Sequence, residues 1–228
     1  MIKYILFDLD ETLFDFPKAE RAAISEVMSM IGISPSEERI RRYSEINREC
    51  WDALERGETS RERLVIFRFE KFLAEQGSDF SPEEAQKQYV LALGAQHHFI
   101  DGAEELLSLL SEKYELYAVT NGLYAVQTRR IKDSRLDRFF KGYFISEEIG
   151  FSKPRKEFFD LAFSKIDGFE RDKAIIIGDS LRSDILGGKN AGIRTCHYNP
   201  QKKENKTGII PDHEIKNLSE LPRLLKEL

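Results

Sequence analysis

The chain opens on an apolar run, IKYILF, that breaks abruptly into the acid-rich DLDETLFD. A short unbroken apolar stretch of this kind predicts a strand covered on both faces. From Pro17 to about His98 the spacing becomes helical, in four stretches: PKAERAAISEVMSMIG, PSEERIRRYSEINRECWDALERGE, TSRERLVIFRFEKFLAEQG and SPEEAQKQYVLALGAQHH. Three carry start signals. Ser34 before Pro35, Thr59 before SRE and Ser81 before PEE each set a capping residue ahead of a proline or first-turn acids.

Beyond this block, helix and strand alternate. GAEELLSLLSEK places Ala103, Leu106, Leu107 and Leu110 on one helical face, and YELYAVT follows as a strand. LYAVQTRRIKDS then reads as helix, YFIS as a short strand, KEFFDLAFSKI as helix, KAIIIGD as strand, LRSDILGGKNAG as helix and IRTCHY as strand. Asn199 to Pro211 is a polar loop and SELPRLLKEL a closing helix. Alternation predicts a parallel sheet with helices on both faces and right-handed crossovers. The expected class is α/β: a Rossmann-like core built from residues 1–15 and 99–228, interrupted by a helical domain over residues 16–98.

Composition narrows the setting. With 228 residues, 41% hydrophobic and 33% charged, the chain can bury a substantial core, and its net charge of -5 argues against a nucleic acid partner. Cys50 and Cys196 form neither a disulfide framework nor a metal-binding pair, which fits two buried side chains in a reducing cytoplasm. The first apolar run passes directly into acids, unlike a cleavable signal, and no run approaches the ~18 apolar residues of a membrane span. A cytoplasmic protein without a membrane partner is expected, and nothing in the pattern sets an oligomeric state.

Three of the apolar strands end in side chains able to do chemistry: IKYILF at Asp8, YELYAV at Thr120 and Asn121, and AIIIG at Asp179. Any one of them is ordinary turn or capping chemistry. Three on one sheet edge, with Asp10 two residues beyond Asp8, mark a site, because open parallel sheets bind ligands outside the carboxyl ends of their strands. Two carboxylates ~4 Å apart repel by about 4 kcal/mol at an effective dielectric of about 20. A cluster of Asp8, Asp10, Asp179 and Asp184 therefore needs a cation. Oxygen donors without histidine or thiol suit a hard ion, and Mg2+ finished by water and a substrate phosphate is the expected cofactor.

These residues carry a resemblance. DLDETLF, TNG at 120–122, Lys153-Pro154 and GDSLRSD at 178–184 resemble, in order and spacing, the four motifs of the haloacid dehalogenase superfamily of phosphohydrolases, and the match covers the whole chain. The helical insertion is similar to that superfamily's cap domain. VTNGLYAVQTRRI and YFISEEIGFSKPRKEFF further resemble the bacterial pyrimidine 5′-nucleotidase branch, which removes phosphate from nucleoside monophosphates, including non-standard ones. Glu11 departs from the glycine most common in the superfamily, although the nucleotidase branch commonly carries Glu there.

The resemblance implies a role for each matching position. Asp8 is the nucleophile that takes up the phosphoryl group, and Asp10 is the acid that protonates the leaving oxygen and then the base that activates water. Asp8, the backbone carbonyl of Asp10 and Asp179 hold the metal, with Asp184 joining directly or from behind. Thr120 and the amide of Asn121 hold phosphoryl oxygens, and Lys153 offsets the charge spreading over them. The implied substrate is a small phosphate ester such as a nucleoside monophosphate, with the cap shielding the phosphoenzyme and selecting the leaving group.

Other readings compete. A phosphatase or phosphomutase for sugar phosphates shares the fold, whereas a dehalogenase lacks the second aspartate. A receiver-like phosphoacceptor lacks the helical insertion, and a general acid at Asp10 would defeat a lasting signal; a catalytically silent binding protein is a further alternative. Taken singly, Lys153 is a loop lysine, Thr120 a hydroxyl bonded to its own backbone and Asp184 an acid favoured by a helix dipole. Phe16, Trp51 and Tyr124 read as core aromatics before stacking partners, His97 and His98 as structural, and GGKN at 187–190 as close helix packing rather than a phosphate loop.

Overall fold

The computed structural model describes residues 1–228, and its contacts divide the chain into two units, residues 1–15 with 99–228, and residues 16–98. In the first unit six strands form one parallel sheet: β1 (Tyr4–Phe7), β2 (Glu115–Thr120), β3 (Gly142–Ile145), β4 (Ala174–Gly178), β5 (Arg194–Tyr198) and β6 (His213–Ile215). Their order is β3-β2-β1-β4-β5-β6, so the direction of winding reverses beside β1. Four helices, α1 (Phe16–Met30), α2 (Glu37–Glu55), α3 (Arg61–Glu75) and α4 (Pro82–Gly94), make the second unit. The remainder belong to the first: α5 (Ala103–Ser111), α6 (Tyr124–Asp133), α7 (Ser146–Ile149), α8 (Lys156–Ser164), α9 (Leu186–Ala191) and α10 (Leu221–Glu227). None is long and apolar enough to cross a membrane.

The unbroken apolar character of β1 follows from its place between β2 and β4, where both faces are covered. Ile5 and Phe7 enter one core with Leu106, Leu107 and Leu110 of α5 and Leu221 and Leu225 of α10. Tyr4 and Leu6 point the other way, into a core with Phe158, Phe159 and Phe163 of α8. Register then aligns the strand ends: Phe7 pairs with Ala118 on one side and Ile177 on the other. Asp8 continues this pairing through a 2.9 Å bond from its amide to the Ile177 carbonyl. Gly187 and Gly188 on α9 pack closely, since a Cβ would meet Phe159 from the first and Ile176 and Thr195 from the second.

The helical unit is centred on aromatic rings, with Tyr43 5.3 Å from Phe69 and 5.5 Å from both Phe72 and Tyr89. A buried polar chain crosses all four of its helices. Asn47 Nδ2 donates to Glu20 at 2.6 Å, Arg68 donates to Asn47 Oδ1 and to Gln86 at 2.6 Å each, and its guanidinium lies 4.6 Å above Tyr89. Such a network holds when its members are satisfied together, because a charge buried alone costs several kcal/mol, roughly.

Several local expectations need correction. The cap of α2 is Ser36 rather than Ser34, and that of α3 is Ser60 rather than Thr59; Ser81 does cap α4. In each case the serine Oγ accepts from the backbone amide three residues on, a geometry Ser34 and Thr59 are too far back to reach. LRSDILGGKNAG is not one α-helix, since residues 181–185 form a π-type turn ahead of α9. The segment after the polar loop contributes a sixth strand, β6, that its sequence did not announce.

Candidate active site

Asp8 follows the last residue of β1, Thr120 closes β2, and Asp179 follows the last residue of β4, so three neighbouring strands deliver them to one edge of the sheet. Lys153 reaches the same place from the loop between α7 and α8. It is 2% exposed, and its ammonium donates to Asp8 Oδ1 at 2.6 Å, Asp184 Oδ1 at 2.6 Å and the Val119 carbonyl at 2.8 Å. Burial alone would pull this lysine down, but Asp184 and Asp8 outweigh it and raise the group above its usual value.

The Lys153 ammonium bonds two of three clustered carboxylates. Ligand atoms of Asp8, Asp179 and Asp184 lie within 4.8 Å of one another. Burial, with Asp184 and Asp10 nearby, pushes Asp8 up to about 8 despite the opposing pull of Lys153. Asp179 is held well above the usual carboxylate range by burial and by Asp8, Glu11 and Asp184. Carboxyl groups that burial and one another keep from ionising fit a cation that would favour their charged form, and a donor set made only of oxygen fits a hard one such as Mg2+. Asp184 belongs to this cluster, while the Asp10 carboxylate is not part of it and is bound by α6 instead.

Local structure sets each of these groups. Asp184 is 1% exposed in the π-type turn, its Oδ2 accepting from the Ser180 amide at 3.1 Å. A side chain at Gly178 would overlap that carboxylate, so glycine is required beneath it. Asn121 joins its side-chain amide to both backbone groups of Lys153 and donates to Ser183 Oγ at 3.2 Å. The Thr120 hydroxyl accepts from the Gly122 amide and from Gln127 Nε2, each at 3.0 Å, so it meets a further partner as a donor. Glu11 adopts φ 58°, a left-handed backbone that accounts for glycine being common at this turn.

Three residues of this region are not among the candidates singled out above. Gln127 and Arg130 of α6 both bind the Asp10 carboxylate. His197 on β5 sits beneath Asp179, with Nε2 3.0 Å from its carbonyl oxygen and Nδ1 3.2 Å from Glu214. By contrast Phe16 and Trp51 are partly buried in the helical unit and Tyr124 is exposed, while His97 and His98 are outside the carboxylate cluster.

Comparison with known proteins gives the chain a family. The model of the family "haloacid dehalogenase-like hydrolase" matches residues 5–198. The chain belongs to the haloacid dehalogenase-like hydrolases. It is 40% identical over 221 residues to the HAD-hydrolase YfnB of Bacillus subtilis, covering 97% of this chain and 94% of that one. A crystal structure of YfnB bound to magnesium has a TM-score of 0.94 and covers 98% of both chains. Within the family the chain is also similar to pyrimidine 5′-nucleotidases. It is 37% identical over 220 residues to PynA of Streptococcus pneumoniae, covering 96% of this chain and 93% of PynA. With YjjG of Escherichia coli it shares 31% over 222 residues, 97% of each chain.

Proposed function

We propose that this hydrolase of phosphoric monoesters acts on pyrimidine nucleoside monophosphates, with Mg2+ as cofactor and through an aspartyl-phosphate at Asp8. The observation that carries the mechanism is Asp8 itself: buried, at the end of the central strand, with Lys153 against one oxygen and two further carboxylates around it. The likeness to PynA and YjjG supports the substrate class. The chemistry belongs to the α/β unit, and the inserted helical unit serves as the cap that selects the leaving group.

A carboxylate oxygen of Asp8 attacks phosphorus, the bond from phosphorus to the ester oxygen breaks, and Asp10 gives that oxygen a proton as it leaves as the nucleoside hydroxyl. Water then attacks the same phosphorus, its proton passes to Asp10, and the bond from phosphorus to Asp8 breaks, releasing inorganic phosphate and restoring both carboxyl groups. Asp8, Asp179 and the Asp10 carbonyl, with Asp184 directly or from behind, would hold Mg2+, which when bound would supply the positive charge that an anionic nucleophile needs to approach a phosphate dianion. The Thr120 hydroxyl and the Asn121 amide donate to equatorial phosphoryl oxygens, and the Lys153 ammonium steadies the charge they share.

A panel of nucleoside monophosphates, sugar phosphates and phosphoamino acids, assayed with Mg2+ and with chelator, tests the reading. UMP, dUMP and dTMP lead, and chelator abolishes phosphate release. Sugar phosphates exceeding these by about tenfold in kcat/KM would remove the nucleotidase assignment and leave the hydrolase.

A further inference from the structure

We propose that Arg130 and Gln127 are positioning residues that fix the plane of the Asp10 carboxylate so that it faces the departing oxygen. The inference rests on the reading of Asp10 as the general acid. Asp10 is reached from α6, a helix more than a hundred residues away in sequence. Arg130 Nη1 donates to Asp10 Oδ1 at 2.5 Å, and Gln127 Nε2 donates to Asp10 Oδ2 at 2.6 Å. Each oxygen thus has its own donor. A carboxylate held at one oxygen can still turn about its last bond, whereas a donor at each oxygen resists that rotation.

The two donors are themselves held. They stand three residues apart, on one face of α6, and neither side is left open to water, each being 0% exposed. Arg130 also donates to Gln127 Oε1 at 3.3 Å, and its guanidinium lies 4.4 Å above the ring of Phe14, in the same turn that carries Asp10. Gln127 Nε2 further donates to Thr120 Oγ1 at 3.0 Å, joining the acid to the strand end assigned to phosphoryl binding. Gly122 makes room for this, since a side chain there would overlap the Gln127 amide.

A purely structural role is the rival account, because a buried arginine requires an acid somewhere. Its partner here keeps its carboxylate partly open, 28% exposed against 0% for Arg130, at the loop after the nucleophile. An internal pair serving the core alone has no need of an exposed acid, nor of a second donor that also binds Thr120. In the first step the phosphorus–oxygen bond breaks, the ester oxygen keeps the electron pair, and Asp10 supplies its proton. Arg130 and Gln127 exchange no proton with substrate.

The consequence is read from leaving groups. An alkyl oxygen needs the proton to depart and a nitrophenolate does not, so misplacing Asp10 harms alkyl esters selectively. We would measure kcat/KM with Mg2+ for UMP and glycerol phosphate, as alkyl esters, and for nitrophenyl phosphate, in the parent and in Arg130→Met, Arg130→Lys, Gln127→Leu and Asp10→Asn. Arg130→Met is expected to lose about tenfold or more beyond its loss on the aryl ester. Arg130→Lys, keeping one donor for Oδ1, recovers part of that difference, and Gln127→Leu shows the same selectivity more weakly. Equal losses on both ester classes for Arg130→Met, Arg130→Lys and Gln127→Leu, with Asp10→Asn still selective, would overturn the positioning role and leave Asp10 as the acid. If Asp10→Asn itself discriminates between neither class, the underlying reading falls and this inference with it. Should Arg130→Met fail to fold, Arg130→Lys and Gln127→Leu decide by the same comparison.

Discussion

Asn121 and Lys153 are joined by a reciprocal pair of hydrogen bonds: the Asn121 Oδ1 accepts from the Lys153 amide and its Nδ2 donates to the Lys153 carbonyl, each at 2.9 Å. The side chain of one motif thereby sets the backbone of another, and the Lys153 ammonium reaches Asp8 and Asp184 from that fixed point. Asn121→Ala is expected to lower kcat/KM by roughly 10- to 100-fold, the range of a misplaced catalytic group. In a Lys153→Met background the same change should add little, because the group it positions is already gone. Full additivity in that double-mutant cycle would contradict the linkage.

Gly178 is the counterpart beneath the metal cluster. Gly178→Ala drives a methyl into the space of the Asp184 carboxylate. Mg2+ affinity, measured by titration calorimetry on the chelator-stripped protein, should fall by about 10-fold or more, as when a metal site loses a ligand or its support. Unchanged affinity would show that Asp184 is dispensable to the site.

The raised carboxyls give a pH dependence with a definite sign. Asp8 moves from an ordinary value of 3.8 to about 8 in the folded, metal-free protein. The folded state therefore holds a proton that the unfolded state has released, so this group's contribution is intact below about 4 and is lost as pH rises toward about 8. Asp179, raised in the same direction, adds to the effect. The stability of the parent relative to Asp8→Asn, followed by thermal unfolding in chelator, should decline across that window. Adding Mg2+ should stabilise the parent more at the alkaline end, where no proton competes. A relative stability that rises with pH would contradict the assignment.

Glu11 holds φ 58° at a turn where a side chain is strained by about 1 kcal/mol. Glu11→Gly should raise the unfolding free energy by up to about 1 kcal/mol. Because Glu11 is among the charges that raise Asp179, the same variant should bind Mg2+ a few-fold more weakly. Loss of stability without loss of affinity would show that Glu11 serves the turn instead.

What could be read in the sequence follows from what leaves a local trace. β1, β2 and β4 stand out because they are buried on both faces and are therefore continuously apolar. β6 leaves none: in His213–Ile215 only Ile215 is buried, so no apolar run forms. The residues at strand ends can be assigned to one edge of a sheet from the sequence, since parallel topology alone brings them there. The π-type turn that carries Asp184 could not, because one extra residue in a helical turn has no compositional mark. Gln127 and Arg130 did leave a trace. They share the buried face of α6 with Val126 and Ile131, and polar side chains in a position that should be apolar signal a partner.

The most direct measurement is to quench the protein during turnover with UMP and Mg2+ and analyse its peptides by mass. The peptide spanning Asp8 should carry one phosphoryl group, sensitive to hydroxylamine as an acyl phosphate is, and Asp8→Asn should show neither the modified peptide nor phosphate release. An unmodified peptide together with an Asp8→Asn variant that turns over at the parent's rate would contradict the account.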